Sequence, residues 1–306
     1  MRDGYSQRAR VPSEFADCVC ATIFSATGVA PLRTTNYFWW MCSKKINPAS
    51  LRRIILEESK RAHVGHIGSA LSVTEIISVL YSDVLHIARP DDPERDRFVL
   101  SKGHAALPLY AALTLKGFLT LEDLHSYCED GSLLGVHPER DLAGVDFTTG
   151  SLGHGLSFAV GAALAARLDG SPRRTYALLS DAECNEGAVW EAAMFAAHHR
   201  LCNLTAVIDC NGQQALGKTA DVLKMEPQTE RWQSFGWRPI KVDGHDPVAL
   251  QAAFAEAARG ENPSVVLART SAGKGVSFME DKVEWHYLPM TDKQYASALS
   301  EITADL

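Results

Sequence analysis

Compact apolar runs alternate with longer segments in which apolar residues recur every three or four positions. The runs Arg97–Leu100, Thr175–Leu179, Leu204–Ile208, Arg238–Val242 and Ser264–Ala268 read as strands. Helical periodicity marks Leu51–His63, where Ile54, Ile55 and Glu58 share a spacing, and also Leu156–Arg167, Ala188–His199 and Pro247–Arg259. An Ala/Leu-rich helix follows His104, and another begins at Thr120. Ser72 and Glu75 have capping-box spacing, opening a helix through Tyr81 with Ile76, Ile77 and Leu80 on one face. Gly65–Gly68 predicts a turn, and Gly144–Gly155 a Gly/Thr-rich loop. Strands alternating with helices predict an α/β fold: a doubly wound, mainly parallel sheet with helices on both faces.

No repeat or low-complexity linker interrupts residues 46–285, so one domain is expected over 46–290. A C-terminal helix or tail over 291–306 follows it. Residues 1–45 read as a poorly ordered or loosely docked extension. Val19–Pro31, after Arg2, Arg8 and Arg10, superficially resembles a signal peptide, but Glu14 and Asp17 interrupt it. Translation starting near Met41 is an alternative.

The 306 residues suffice for a substantial core, and the net charge of -7 opposes a sequence-independent nucleic-acid binder. No apolar run is long enough for a transmembrane helix. Seven cysteines without a CxxC pair fit a reducing cytoplasm better than a disulfide framework, so a cytoplasmic location is expected.

Candidate chemistry concentrates after the strands. Asp181 and Asn211 each follow an apolar run, placing both at the carboxyl ends of neighbouring parallel strands, where open α/β sheets bind ligands. A carboxylate, an amide and a nearby backbone carbonyl suit Mg2+ with positions left for phosphate oxygens. Asp and Asn are also common turn residues, so spacing alone leaves both readings open.

Several loops together are more specific. Gly65-His66-Ile67-Gly68, Asp96–His104 (with Ser101-Lys102-Gly103-His104), Gly135–Glu139, Thr148–Gly155, and Asp181…Glu186-Gly187…Asn211-Gly212 occur in order. With Ala272–Glu280 and Trp285-His286, they resemble the amino-terminal half of transketolases, most closely the split kind in which this half is a separate polypeptide. The resemblance spans roughly residues 48–290.

It implies a thiamine diphosphate-binding fold, with this half as the diphosphate-binding domain. Asp181 and Asn211 side chains and the Gln213 backbone carbonyl would hold Mg2+, or another divalent cation such as Ca2+ or Mn2+. Gly150, Ser151 and Leu152 would line the cofactor rings, glycine permitting close backbone approach. The Ala182 N–H would approach the diphosphate. His104 and His286 match positions that reach the diphosphate or the reacting sugar, and His66 and His137 match those handling hydroxyl protons. Imidazole suits both roles. Glu186 would link two cofactor sites across a dimer, or serve as a charge at a helix N-terminus. Lys274 would contact phosphate or be a solvated loop lysine, and His154 stands beside the cofactor loop.

One departure is Ser180-Asp181-Ala182 where the family has Gly-Asp-Gly. Its added methyl crowds the phosphate unless φ at Ala182 is negative. The family's activating glutamate and phosphate-gripping arginines belong to a following domain, for which the chain ends too early. A partner subunit is therefore expected, in an α2β2 assembly that transfers a two-carbon ketol unit from a ketose to an aldose, with sugar or sugar-phosphate substrates. The alternatives are another thiamine diphosphate-dependent two-carbon or acyl transfer, and a non-catalytic scaffold. A nicotinamide dehydrogenase is disfavoured, because Gly150-x-x-Gly153-x-Gly155 is not the dinucleotide glycine order.

Overall fold

Strands buried on both faces can pair only inside a layered structure, and those found here form one parallel sheet. The computed structural model describes residues 45–303, so the extension assigned to 1–45 lies, except for Lys45, outside the described residues. The sheet strands are β1 (Arg97–Leu100), β2 (Thr175–Ser180), β3 (Leu204–Cys210), β6 (Arg238–Asp243) and β7 (Ser264–Arg269). Their order is β1-β2-β3-β7-β6, each parallel to its neighbour. A short antiparallel hairpin, β4 (Gln213–Gln214) with β5 (Gly217–Lys218), projects after β3.

Helices cover both faces. They are α1 (Pro48–Ala62), α2 (Ile67–Ser72), α3 (Thr74–Val79), α4 (Ala106–Leu115), α5 (Leu121–His125), α6 (His154–Leu168), α7 (Gly187–His198), α8 (Thr219–Val222), α9 (Gln228–Ser234), α10 (Pro247–Ala257) and α11 (Asp292–Thr303). On one face Val99, Ala177, Leu179, Ala206 and Ile208 pack with α6, α7 and α9. On the other, Tyr176 meets Phe254 of α10 edge-on at 6.1 Å, and Phe98 meets Tyr81 at 5.7 Å. The expected doubly wound α/β class is what the chain adopts. Small residues bring the layers close: a Cβ on Gly155 would lie 2.7 Å from Ser101 Cα, so α6 docks against the loop after β1 only with glycine there.

Several boundaries differ from the pattern. α1 opens at Pro48, capped by Asn47 Oδ1 accepting from the Ala49 N–H at 2.9 Å. The predicted turn at Gly65–Gly68 already enters α2, and α6 begins at His154 rather than Leu156. Ser72 does not cap α3: it ends α2, and its hydroxyl donates to Asp209 Oδ2 at 2.7 Å. Glu75 instead accepts from Arg52 and pairs with His245. A true capping box occurs at Thr120, whose hydroxyl accepts from Asp123 N at 3.0 Å while Asp123 accepts from Thr120 N at 2.8 Å. α8, α9 and the β4–β5 hairpin have no counterpart in the pattern. α11 lies against α1, tied by Lys60–Asp292 at 2.7 Å. Among the described residues no helix is long and apolar enough to cross a membrane.

Candidate active site

The loops after β1, β2 and β3 converge with the segment after β7 on a cleft of about 310 Å3 at the carboxyl end of the sheet. The loop after β1 contributes Lys102 and His104, that after β2 Ala182 and Glu186, and that after β3 Asn211 and Gln213. His66, His137, Gly150, Leu152 and His286 complete the predicted residues around it. Gly150 has φ +155, and a Cβ there would come 3.1 Å from the His137 ring, so glycine is what lets this loop pass the imidazole.

Beneath the cleft lies a dense acid network. Asp181 is buried: Oδ1 accepts from Ala182 N and Oδ2 from Gly212 N, both at 2.8 Å. The second bond spans the loops after β2 and β3, joining the Asp181 carboxylate to the residue beside Asn211. Asn211 Nδ2 donates to Asp209 at 3.0 Å, and its Oδ1 accepts from Gln213 N at 2.9 Å. Asp209 and Lys102 are fully buried and form an ion pair, with Ser72 and Thr270 hydroxyls also donating to Asp209. Glu183, also fully buried, accepts from Ser101 Oγ, from Gly153 N at 2.7 Å and from Ser180 N at 3.2 Å. That one carboxylate fastens three loops of the cleft together. Burial, and then the Asp209 charge, push the Asp181 pKa up to about 7 against its two backbone donors.

Three imidazoles crowd one wall. The rings of His66, His104 and His286 lie 5.4, 5.1 and 5.4 Å apart, centroid to centroid. His66 takes the left-handed conformation (φ 62), and its N–H donates to His286 O at 3.3 Å. Burial, with Lys102 and neighbouring histidines adding to it, lowers all three: His66 below its usual value, His104 well below it, and His286 to about 4. At neutral pH each ring is uncharged, offering one N–H donor and one lone pair.

His286 makes stability depend on pH. Its folded pKa is depressed, so below about 6.5 the unfolded chain binds a proton that the folded chain does not. Stability should therefore fall as pH drops from 6.5 and stop falling, for this group, near 4. Discounted for the ring's partial exposure, its share is roughly 1–2 kcal/mol. Urea denaturation at stepped pH should show a shallower acid slope for His286→Gln; an unchanged slope would mean the ring titrates normally.

The cleft is accompanied by a family-wide match: residues 44–304 correspond to the family described as transketolase, thiamine diphosphate binding domain. The chain belongs to the transketolase family. It is 41% identical over 256 residues to the 6-deoxy-6-sulfo-D-fructose transketolase subunit SqwG of Clostridium sp. (strain MSTE9), covering 82% of this chain and 93% of that one. It is 38% identical over 255 residues to an apulose-4-phosphate transketolase subunit of Phocaeicola vulgatus, covering 82% and 91%. The solved transketolase of Campylobacter jejuni superposes with a TM-score of 0.79 at 30% identity, over 84% of this chain and 42% of that chain. The chain thus spans nearly the whole of these subunits but about two-fifths of that solved transketolase. It is a transketolase-type, thiamine diphosphate-binding transferase subunit.

Not every residue expected in a transketolase cleft lines this one. Ser151 borders a neighbouring cavity of about 400 Å3 with His154 and Phe158, a cavity that shares His137 and Gly150 with the cleft. Lys274 is not among the lining residues and pairs with Glu280 at 3.4 Å. The Ala182 N–H turns to Asp181 rather than into the cleft. Its φ is not positive, so the methyl of this departure from Gly-Asp-Gly sits on ordinary backbone. His125 and His245 pair with Glu58 and Glu75, away from the cleft.

Sequence reasoning missed Lys102, Asn185 and Gln214, which line the cleft, and the role of Glu183 beneath it. Lys102 sits in the quoted Ser-Lys-Gly-His motif, one signal that could have found it. Asn185 Oδ1 and Gln214 Nε2 are buried without a hydrogen-bond partner, an acceptor and a donor that a ligand would satisfy.

Proposed function

We propose that this chain is the diphosphate-binding subunit of a two-component transketolase, holding thiamine diphosphate through a divalent cation and transferring a two-carbon ketol unit from a ketose to an aldose. The carrying observation is the buried acid set. Asp181 lies buried beside the Asp209–Lys102 ion pair, and burial, then the Asp209 charge, raise its pKa. A cation beside Asp181 would keep its carboxylate ionised, and the unpartnered Asn185 and Gln214 atoms would meet a polar ligand.

The residues fit the group. Asp181 would supply a carboxylate oxygen, Asn211 its Oδ1 and Gln213 its backbone carbonyl, to Mg2+ or to Ca2+ or Mn2+. Asn211 Oδ1 has a second lone pair beyond the bond from Gln213 N, so ligation need not break that turn. Bound thiamine diphosphate supplies the carbanion chemistry. This chain's own part is proton handling and orientation. His66, His104 and His286, neutral and mutually close, would exchange protons with substrate hydroxyls, and His137 would act from the opposite loop. Gly150 and Leu152 would border the cofactor rings, with Ser151 behind them; Glu186 would reach a second cofactor site and Lys274 a phosphate.

The activating glutamate would come from a partner subunit resembling a transketolase carboxyl-terminal half, in an α2β2 assembly in the cytoplasm. Exposed apolar side chains at the cleft rim support a covering partner: Leu216, Tyr287 and Leu288 are 79%, 54% and 52% exposed. Tyr287 also ties the His286 segment to the β4–β5 hairpin by donating to Ala215 O. Co-purification with such a partner, thiamine diphosphate and Mg2+ should yield ketol transfer, and either chain alone should give none. Ketol transfer by this chain alone, or no cofactor binding with or without the partner, would refute the proposal; the second result would leave a scaffold.

A further inference from the structure

A second cavity, of about 480 Å3, opens at the same end of the sheet on the other side of β3. Cys210, the last residue of β3, lines it, whereas Asn211, just past the strand end, lines the cleft. Parallel register builds its floor. Cys210 pairs with Arg269 and Arg269 with Asp243, forming one row across β3, β7 and β6; Leu267 and Lys241 form the row beneath. Glu226, Gln228 and Thr229, at the start of α9, make the wall.

The polar groups here are notable for what they lack. Gln228 is only 3% exposed, yet its Oε1 has no hydrogen-bond partner. Among the described residues neither the Arg269 nor the Lys241 side chain has a hydrogen-bond or ion-pair partner. Glu226 accepts only from Gln228 N at 2.9 Å, and Asp243 only from His245 N at 3.0 Å, so each keeps a carboxylate oxygen open. Arg269, Lys241, Glu226 and Asp243 are exposed and meet water, but the two cations suit an anion, and the buried Gln228 oxygen lacks a donor. A bare anion would be repelled by the two carboxylates. The volume lies within the usual range for small-molecule sites.

We propose that this cavity binds a hydroxylated phosphate monoester, a sugar phosphate in chemical class. Its phosphate sits between Arg269 and Lys241, and its hydroxyls donate to Gln228 Oε1, Glu226 and Asp243. The site is separate from the cofactor cleft and does not depend on the cofactor reading.

Calorimetry on the full-length chain tests it, with D-ribose 5-phosphate, D-ribose, inorganic phosphate and L-glutamate as separate probes. Ribose 5-phosphate should bind at least about tenfold more tightly than the other three. The Arg269→Ala/Lys241→Ala double variant should lose about 100-fold in that affinity. Both side chains are exposed and unpartnered, so the variant should melt like the parent and bind thiamine diphosphate within about twofold of it. Asp181→Asn, in contrast, should keep the sugar-phosphate affinity while losing the cofactor. The proposal is overturned by no ribose 5-phosphate binding, by binding that the double variant leaves unchanged, or by equal or tighter binding of phosphate, ribose or glutamate.

Discussion

Asp181→Asn is expected to weaken Mg2+-dependent thiamine diphosphate binding by about 100-fold or more, with the chain still folded. Loss of groups that merely orient a metal ligand costs about 10–100-fold, and a ligating carboxylate contributes charge as well. Asparagine keeps the shape but cannot neutralise a cation. It also turns an NH2 toward either Ala182 N or Gly212 N, each of which now donates to Asp181 at 2.8 Å. That lost bond costs about 1 kcal/mol. Relief of the Asp181–Asp209 repulsion offsets it, so the ligand-free melting temperature should move little. Calorimetry with cofactor and Mg2+, beside thermal melts of the ligand-free protein, separates the two effects. Cofactor affinity within threefold of the parent would exclude Asp181 as a ligand; a collapsed melt would make it a folding residue instead.

A larger stability effect is expected at Lys102. Lys102→Met strands Asp209, which is fully buried, with only neutral donors from Ser72, Thr270 and Asn211. Removing one partner of such a pair costs about 3–5 kcal/mol. Asp209→Asn in the same background should restore a good part of that, because an uncharged amide no longer needs the ammonium. Urea denaturation of the two single variants and the double variant closes a double-mutant cycle. If Lys102→Met costs less than about 1 kcal/mol, or if the double variant is no better than the single, the pair does not hold this end of the sheet together.

What could be read from the sequence was set by how local the physics is. The sheet strands were legible because β2 and β3 are buried at almost every position and so appear as short continuous apolar runs, a pattern that needs no distant information. The ordered loop motifs were legible because their chemistry is in the residue types, and ten of the expected residues do surround one cleft. Ser72 was misread because its hydroxyl partner, Asp209, lies 137 residues away, and a capping-box spacing cannot reveal that. Lys102 was passed over because lysine is ordinarily solvated, and only tertiary contact with Asp209 makes it a buried charge. The helix Gln228–Ser234 was invisible because it is short and polar, anchored by Trp232 against Trp190 and Trp237.

At the end of β3, Asp209, Cys210 and Asn211 serve in succession the hidden ion pair, the second cavity and the cleft. Adding or deleting a single residue within that strand would invert all three addresses together, because each side chain would turn to the opposite layer. Homologous sequences should therefore keep the length of this strand fixed.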